Sequence, residues 1–101
     1  MSMIEAIRHA NRLLPGMPAA EGEEDARWQA IIAVGDYIQT DPEAVWEFVR
    51  RWGVHPQVDV RDAIATCLLE HLLEHHFKTI LPRVEQAITE DRLFADTLLR
   101  C

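Results

Sequence analysis

The residues of this chain whose types and spacing suit metal chemistry lie in the run HLLEHH, from His71 to His76. His71 and His75 are four positions apart, so on a helix their side chains are neighbours and can share one metal ion. On the same helical wheel Glu74 points to the opposite side. The run therefore predicts either a metal site or the histidine-rich end of a packed helix.

The first five letters of this run match the pattern H-x-x-E-H and resemble one class of zinc peptidases. The resemblance implies zinc on His71 and His75 and activation of a water molecule by Glu74, with a third ligand farther along. Only 25 residues follow His76, and no further histidine is among them. A helix C-terminus also favours cationic side chains by ~0.3–1 kcal/mol without any metal. We therefore expect structural histidines, no metal and no cofactor, with a metal-binding or metal-dependent enzyme using His71, Glu74 and His75 as the alternative.

Other catalytic arrangements are weaker still. The four glycines are scattered, so there is no phosphate-binding loop. Ser2 is the only serine, so a Ser/His/Asp catalytic triad would have a single candidate for its nucleophile. Cys67 lies inside the apolar run AIATCLL, where an inert buried thiol is the ordinary role. We predict a protein that is not an enzyme.

Composition and charge limit the classes of protein to which this chain can belong. The 101 residues, 49% apolar and 27% charged, predict a single globular domain. A net charge of −7 argues against nucleic-acid binding, which needs a cationic surface, and suits a basic protein partner. No apolar run approaches the ~20 residues of a membrane span, and the first residues lack the apolar core of a signal peptide. We expect a cytoplasmic monomer or homodimer that binds neither nucleic acid nor membrane.

Residues that start or end helices recur along the chain, whereas patterns that favour β-strands are almost absent. The sequence therefore predicts about six helices in an all-α fold. Residues 15–25 are rich in proline, glycine and acids and predict a loop, and Gly53 predicts the end of a helix. Ser2, Asp41 and Thr89 suit the N-terminal cap of a predicted helix, and a further predicted helix starts near Asp25.

The second half of the chain predicts one long helix and two shorter ones. The long helix extends from about Asp59 to His76, and the next from about Thr79 to Ile88, with Pro82 in its first turn. In the long helix Ile64, Leu68 and Leu72 form one apolar stripe, and further leucines lie over 100° around. A helix that is apolar on two sides must be covered on both.

The central helices repeat with a period in the thirties, which is typical of an α-solenoid. Asp25-Ala26-Arg27 aligns with Asp59-Val60-Arg61 at an offset of 34. At that offset the aligned apolar pairs are Ala30 with Ile64, Val34 with Leu68, and Ile38 with Leu72. We expect Arg27 and Arg61 each to pair with an aspartate of the adjacent unit.

The segment VDVRDAIATCLLEHLL resembles the first helix of a HEAT-type, armadillo-like repeat of the small bacterial kind, and DARWQAIIAVGDYI is a looser copy. The resemblance covers about residues 25–88, and the chain departs from it in lacking the usual early proline. It implies a short α–α superhelix of about two helical hairpins with flanking N- and C-terminal helices, as one domain over residues 1–101. It implies binding of other macromolecules and no chemistry.

The second helices of solenoid units commonly line the inner surface. In this chain the second helix of the first predicted unit is PEAVWEFVRRW, residues 42–52. Trp46 lies about 100° from the apolar stripe of that helix, at the edge of a charged face. The candidate partner-binding residues are Glu43, Trp46, Glu47, Arg50 and Arg51. The alternative, which the residue type favours, is that Trp46 packs on the next unit or on the first helix. We expect Trp28 and Phe77 to lie in the core.

These observations predict a non-enzymatic protein–protein interaction module, HEAT-like and acidic, that binds a basic protein. One concrete form is an inhibitor or immunity protein that masks a basic toxin. The acidic loop from Glu21 to Asp25 is a further place where a basic partner could bind.

Overall fold

The computed structural model describes residues 1–101 and is entirely helical, as the sequence predicts, without any β-strand. A π-helical stretch, Ile64–Leu69, joins the fourth helix to the fifth and contacts the second, third and sixth. No helix is both long enough and apolar enough to cross a membrane. The helices are α1 (Met3–Leu13), α2 (Ala26–Gly35), α3 (Pro42–Trp52), α4 (Val58–Ala63), α5 (Glu70–Glu90) and α6 (Arg92–Leu99).

The first three helices begin where the sequence predicts. Ser2, Asp25 and Asp41 each accept a hydrogen bond from a backbone N–H of the following first turn, at 2.9 to 3.3 Å. These bonds satisfy donors that the start of a helix otherwise leaves unpaired. Pro42 stands at the first position of α3, and Gly53 follows its last residue. Local chemistry therefore sets these boundaries.

The predicted break after the long helix is a kink at His76. The backbone of His76 (φ −135°, ψ 40°) is not helical, and its Nε2 lies 2.9 Å from the carbonyl oxygen of Ile38. The helix resumes at once, so Pro82 lies within α5 and not in a first turn, and that prediction is wrong. Pro82 lacks the N–H that would bond to the carbonyl of Lys78. Both residues are exposed, so water can satisfy that carbonyl.

Asp91, and not Thr89, caps the last helix. Thr89 lies in the last turn of α5, where its hydroxyl donates to the carbonyl of Gln86 at 2.7 Å. The Asp91 carboxylate accepts from the backbone N–H of Leu93 at 2.8 Å. Aspartate is the stronger capping residue of the two, which explains why α6 begins two residues later than predicted.

The core is one cluster of 21 buried residues to which every helix contributes. Leu68, Leu69 and Leu72 are 0% exposed, so the helix predicted to be covered on two sides is covered on both. Phe77, in contrast, is 56% exposed, and its predicted core position is wrong. It directly follows the kink, which turns it out of the apolar stripe. Trp28 packs half-buried against the core.

Arg27 links α2 to the start of α4 in the way the repeat predicts. The side chain is only 3% exposed. It forms ion pairs with Asp25, on its own helix start, and with Asp59, at the matching position of the next unit. Its Nη1 also donates to the Gln57 side chain at 2.6 Å. A buried guanidinium is tolerated here because each nitrogen has an acceptor.

Arg61 makes the corresponding link one unit later. It is 5% exposed, and its Nη2 donates to Asp96 of α6 at 3.1 Å. Its Nη1 donates to the backbone carbonyls of His55 at 2.7 Å and Pro56 at 3.1 Å. Arg27 therefore pairs with Asp59 at the equivalent position of the second predicted unit, as the sequence predicts, whereas Arg61 pairs with Asp96 of the flanking helix α6.

Candidate functional site

The α3 patch, as we call Glu43, Trp46, Glu47, Arg50 and Arg51, contains no exposed aromatic side chain. Trp46 is 8% exposed, and its ring packs edge to face on Phe94 of α6 with ring centroids 5.8 Å apart. The packing alternative for Trp46 is thus the arrangement found. The indole contributes to the core and offers little area to a partner.

Most charges of the α3 patch are already engaged within the molecule. Glu43 accepts two hydrogen bonds from Arg83, at 2.5 and 2.9 Å. Arg50 donates to Glu90 at 3.1 Å and lies over the Phe94 ring. Arg51 lies over the Trp52 ring, 4.8 Å from its centroid.

Hydrogen bonds from Arg83 hold the pKa of Glu43 below its ordinary value. A hydrogen bond from Arg50 likewise holds the pKa of Glu90 below its ordinary value. Glu47 is exposed and has no ion-pair partner. Of the predicted patch, Glu47 is therefore the carboxylate left for an outside contact.

The largest cavity lies elsewhere, between α2 and the helix that runs from the π-helical stretch into α5. We call it the α2–α5 groove, and its volume is about 430 Å³. Polar groups line it from both sides. Its lining residues are Ile32, Gly35, Asp36, Ile38, Gln39, Thr66, Cys67, His71 and His75.

The groove brings His71 and His75 together with residues that sequence reasoning did not single out. Asp36, Gln39 and Thr66 carry no motif. One signal was present, however: Ile32 and Thr66 are equivalent positions at the repeat offset of 34. Extending the repeat alignment beyond its core positions would have predicted that the face of α2 with Ile32 and the face of the π-helical stretch with Thr66 lie side by side.

Two of the five histidines, His55 and His76, form ring hydrogen bonds, and the other three, His9, His71 and His75, form none. His55 is buried and uses both ring nitrogens, Nε2 with the Leu14 carbonyl and Nδ1 with the Gln57 N–H, each at 3.0 Å. His76 uses Nε2 at the kink. The rings of these two histidines therefore hold backbone segments together. His71 and His75 are exposed on α5, and neither makes a hydrogen bond.

No three side chains among the histidines, cysteines, aspartates and glutamates lie close enough together to hold a metal ion. The Nδ1 of His71 lies 3.5 Å from a carboxylate oxygen of Glu74, so the expectation that Glu74 points to the opposite side of the helix is wrong. Residues three apart on a helix are neighbours. Burial raises the pKa of the Cys67 thiol, although the neighbouring Thr66 hydroxyl lowers it slightly. Cys67 therefore lines the groove as a neutral thiol and not as a thiolate nucleophile or ligand.

The ion pairs leave an excess of negative charge on the surface. Arginine ion pairs involve five of the ten basic side chains and six of the seventeen carboxylates. The other five basic and eleven acidic side chains carry −6 of the net −7 charge. Exposed carboxylates outside these pairs include Glu21, Glu23 and Glu24 in the loop before α2, and Glu70 and Glu74 on α5.

Comparison of the chain with protein-family models, with curated proteins and with solved structures finds no match.

Proposed function

We propose that this chain is a non-enzymatic, HEAT-like protein–protein interaction module that binds a basic protein. An inhibitor or immunity protein that masks a basic toxin is one form of this function. The observation that carries the proposal is the charge left after the internal ion pairs: eleven carboxylates against five basic side chains. Such a surface attracts cationic partners and speeds their association.

The helical units support a solenoid arrangement within this proposal. The matched arginines each pair with an aspartate of the helical segment that follows: Arg27 with Asp59 of the second predicted unit, and Arg61 with Asp96 of the flanking helix α6. Links of this kind join each unit to its neighbour, which is how solenoid repeats derive their stability. A stack held in this way presents its remaining side chains on a rigid surface, and a rigid surface loses little conformational entropy on binding.

The location in the cell is part of the same proposal. Both cysteines, Cys67 and Cys101, are free thiols. Partial burial of its thiol and the charge of Glu70 raise the pKa of Cys101 to about 11, so the thiol is protonated at neutral pH. Unpaired, protonated thiols suit a reducing compartment, and we place the protein in the cytoplasm.

Affinity capture from lysate of the source organism tests the proposal at two ionic strengths. We expect a basic protein to bind at about 0.1 M salt and to be released near 1 M, where the Debye length falls from about 10 Å to about 3 Å. Nuclease treatment of the lysate should leave the capture unchanged. Capture of nucleic acid, or of a partner without net positive charge, would contradict the proposed function.

Charge-reversal variants then locate the contact. The acidic loop variant changes Glu21, Glu23 and Glu24 to lysine, and the α5 variant changes Glu70 and Glu74 to lysine. The third variant is Glu47→Lys, at the carboxylate of the α3 patch that is left for an outside contact. All these side chains are exposed and outside arginine ion pairs, so their replacement should leave the fold intact. The proposal requires that at least one of the variants lose the captured partner.

A further inference from the structure

We infer that His71 and His75 form a two-histidine site for a divalent metal ion that binds imidazole nitrogen, such as Zn²⁺ or Ni²⁺. The site lies at the edge of the α2–α5 groove, which both imidazoles line. The inference does not rest on the binding of a basic protein partner. It also differs from the zinc peptidase pattern, because Glu74 lies beside the ligand His71 and acts here through that ring.

The backbone sets the spacing of the two ligands. Both lie in the part of α5 that precedes the kink at His76, where the backbone is helical. Side chains four residues apart on a helix are neighbours, with about 5–6 Å between their Cβ atoms. Two imidazoles held at that spacing can chelate one ion, and the folded helix has already met the entropic cost of bringing them together.

The hydrogen bonds of the other histidines single out this pair. His55 and His76 use ring nitrogens in bonds to the backbone and are not free to bind a metal. The rings of His71 and His75 are exposed and have no hydrogen-bond partner. His9 lines a different cavity, with Glu24, and provides a natural control.

Glu74 is suited to position the first ligand. Its carboxylate lies 3.5 Å from Nδ1 of His71, which leaves Nε2 of that ring open toward a metal. Histidines that bind metals usually donate their other N–H to such a carboxylate, which fixes the ring and raises its basicity. Asp36, on the opposite wall of the groove, has no ion-pair partner and adds negative charge near the cation.

Only two protein ligands are available, because no third suitable side chain lies within reach. Water completes the coordination, so the affinity is lower than that of structural zinc sites with four protein ligands. Nitrogen ligands favour Zn²⁺ and Ni²⁺ over Mg²⁺, which prefers oxygen. The site therefore discriminates among cations by ligand type.

Isothermal titration calorimetry of the untagged protein with ZnCl₂ and with NiCl₂ tests this site. We expect one saturable equivalent of each metal and no binding of MgCl₂. His71→Ala and His75→Ala should each weaken binding about tenfold or more, because a single imidazole loses the chelate effect. Glu74→Gln should weaken it about tenfold through the orientation of His71. The His9→Ala control should bind as the wild type does.

Three results would overturn the inference: no saturable binding, unchanged binding in the His71→Ala/His75→Ala double variant, or dependence on only one of the two histidines. Both side chains are exposed, so the variants should fold, and far-ultraviolet circular dichroism verifies this. A Glu74→Gln variant with wild-type affinity would remove the positioning role of Glu74 and contradict that part of the inference.

Discussion

The link from Arg27 to Asp59 makes a quantitative prediction about how the helical units are held together. Replacing Arg27 with alanine removes side-chain hydrogen bonds to Asp25, Gln57 and Asp59 from a position that is 3% exposed. The backbone cap of α2 by Asp25 stays in place, because it uses the N–H of residue 27. The variant therefore tests the link between units and leaves the start of the helix intact.

The magnitude follows from the exposure of the acceptors. Hydrogen bonds to charged groups contribute about 1.5–3 kcal/mol each, and removal of one partner of a buried pair costs about 3–5 kcal/mol. The side chains of Asp25 and Asp59 are 22% and 41% exposed, so water partly replaces the guanidinium after its removal. We therefore expect Arg27→Ala to lower the free energy of unfolding by about 2–4 kcal/mol.

Urea denaturation followed by circular dichroism measures this loss. A double-mutant cycle with Asp59→Ala should give a coupling energy of about 1 kcal/mol, within the range for residues in direct contact. Arg92→Ala is the matched control: Arg92 is exposed and has no ion pair, so its loss should change stability by less than about 0.5 kcal/mol. An additive cycle, or an Arg27→Ala variant as stable as the control, would refute the link.

Two further predictions concern close packing and acid. A Cβ at Gly53 would lie 2.7 Å from the Val49 carbonyl oxygen and 2.8 Å from the Phe94 ring, so Gly53→Ala should cost about 1–3 kcal/mol in urea denaturation. Gly35→Ala, with ordinary contacts only, is the control, and equal losses would contradict the argument. Hydrogen bonds from Arg27 hold the pKa of Asp25 below its ordinary value. Stability from this group is therefore full above the ordinary carboxyl pKa of about 3.9 and declines as the pH falls through the folded-state pKa. Arg27→Ala should reduce the loss of unfolding free energy at acid pH, measured by denaturation at a series of pH values. An unchanged dependence on pH would count against the pairing.

Local features of the sequence were sufficient to predict an all-helical fold and the starts of its first three helices. Ser2, Asp25 and Asp41 act within a few residues of their own positions, so these helix starts were readable without knowledge of the fold. The link from Arg27 to Asp59 was predictable as well, because the repeat places Arg27 and Arg61 at equivalent positions.

The features that the sequence did not reveal depend on contacts between distant segments. The kink at His76 involves the carbonyl of Ile38, which lies 38 residues away. Trp46 is buried by Phe94, from a helix that follows it by more than forty residues. Helical periodicity reports which face of a helix is apolar but not which neighbour covers the edge of that face. The polar lining of the α2–α5 groove was missed for the same reason.

The most direct test of the central claim is the salt dependence of the affinity for the captured partner. The dissociation constant should rise by about tenfold or more between about 0.1 and 1 M salt, because unpaired surface carboxylates provide the attraction. The charge-reversal variant that binds the partner more weakly should show a weaker dependence of its dissociation constant on salt. A dissociation constant that stays the same across this range would contradict the account, because the excess surface charge would then have no part in recognition.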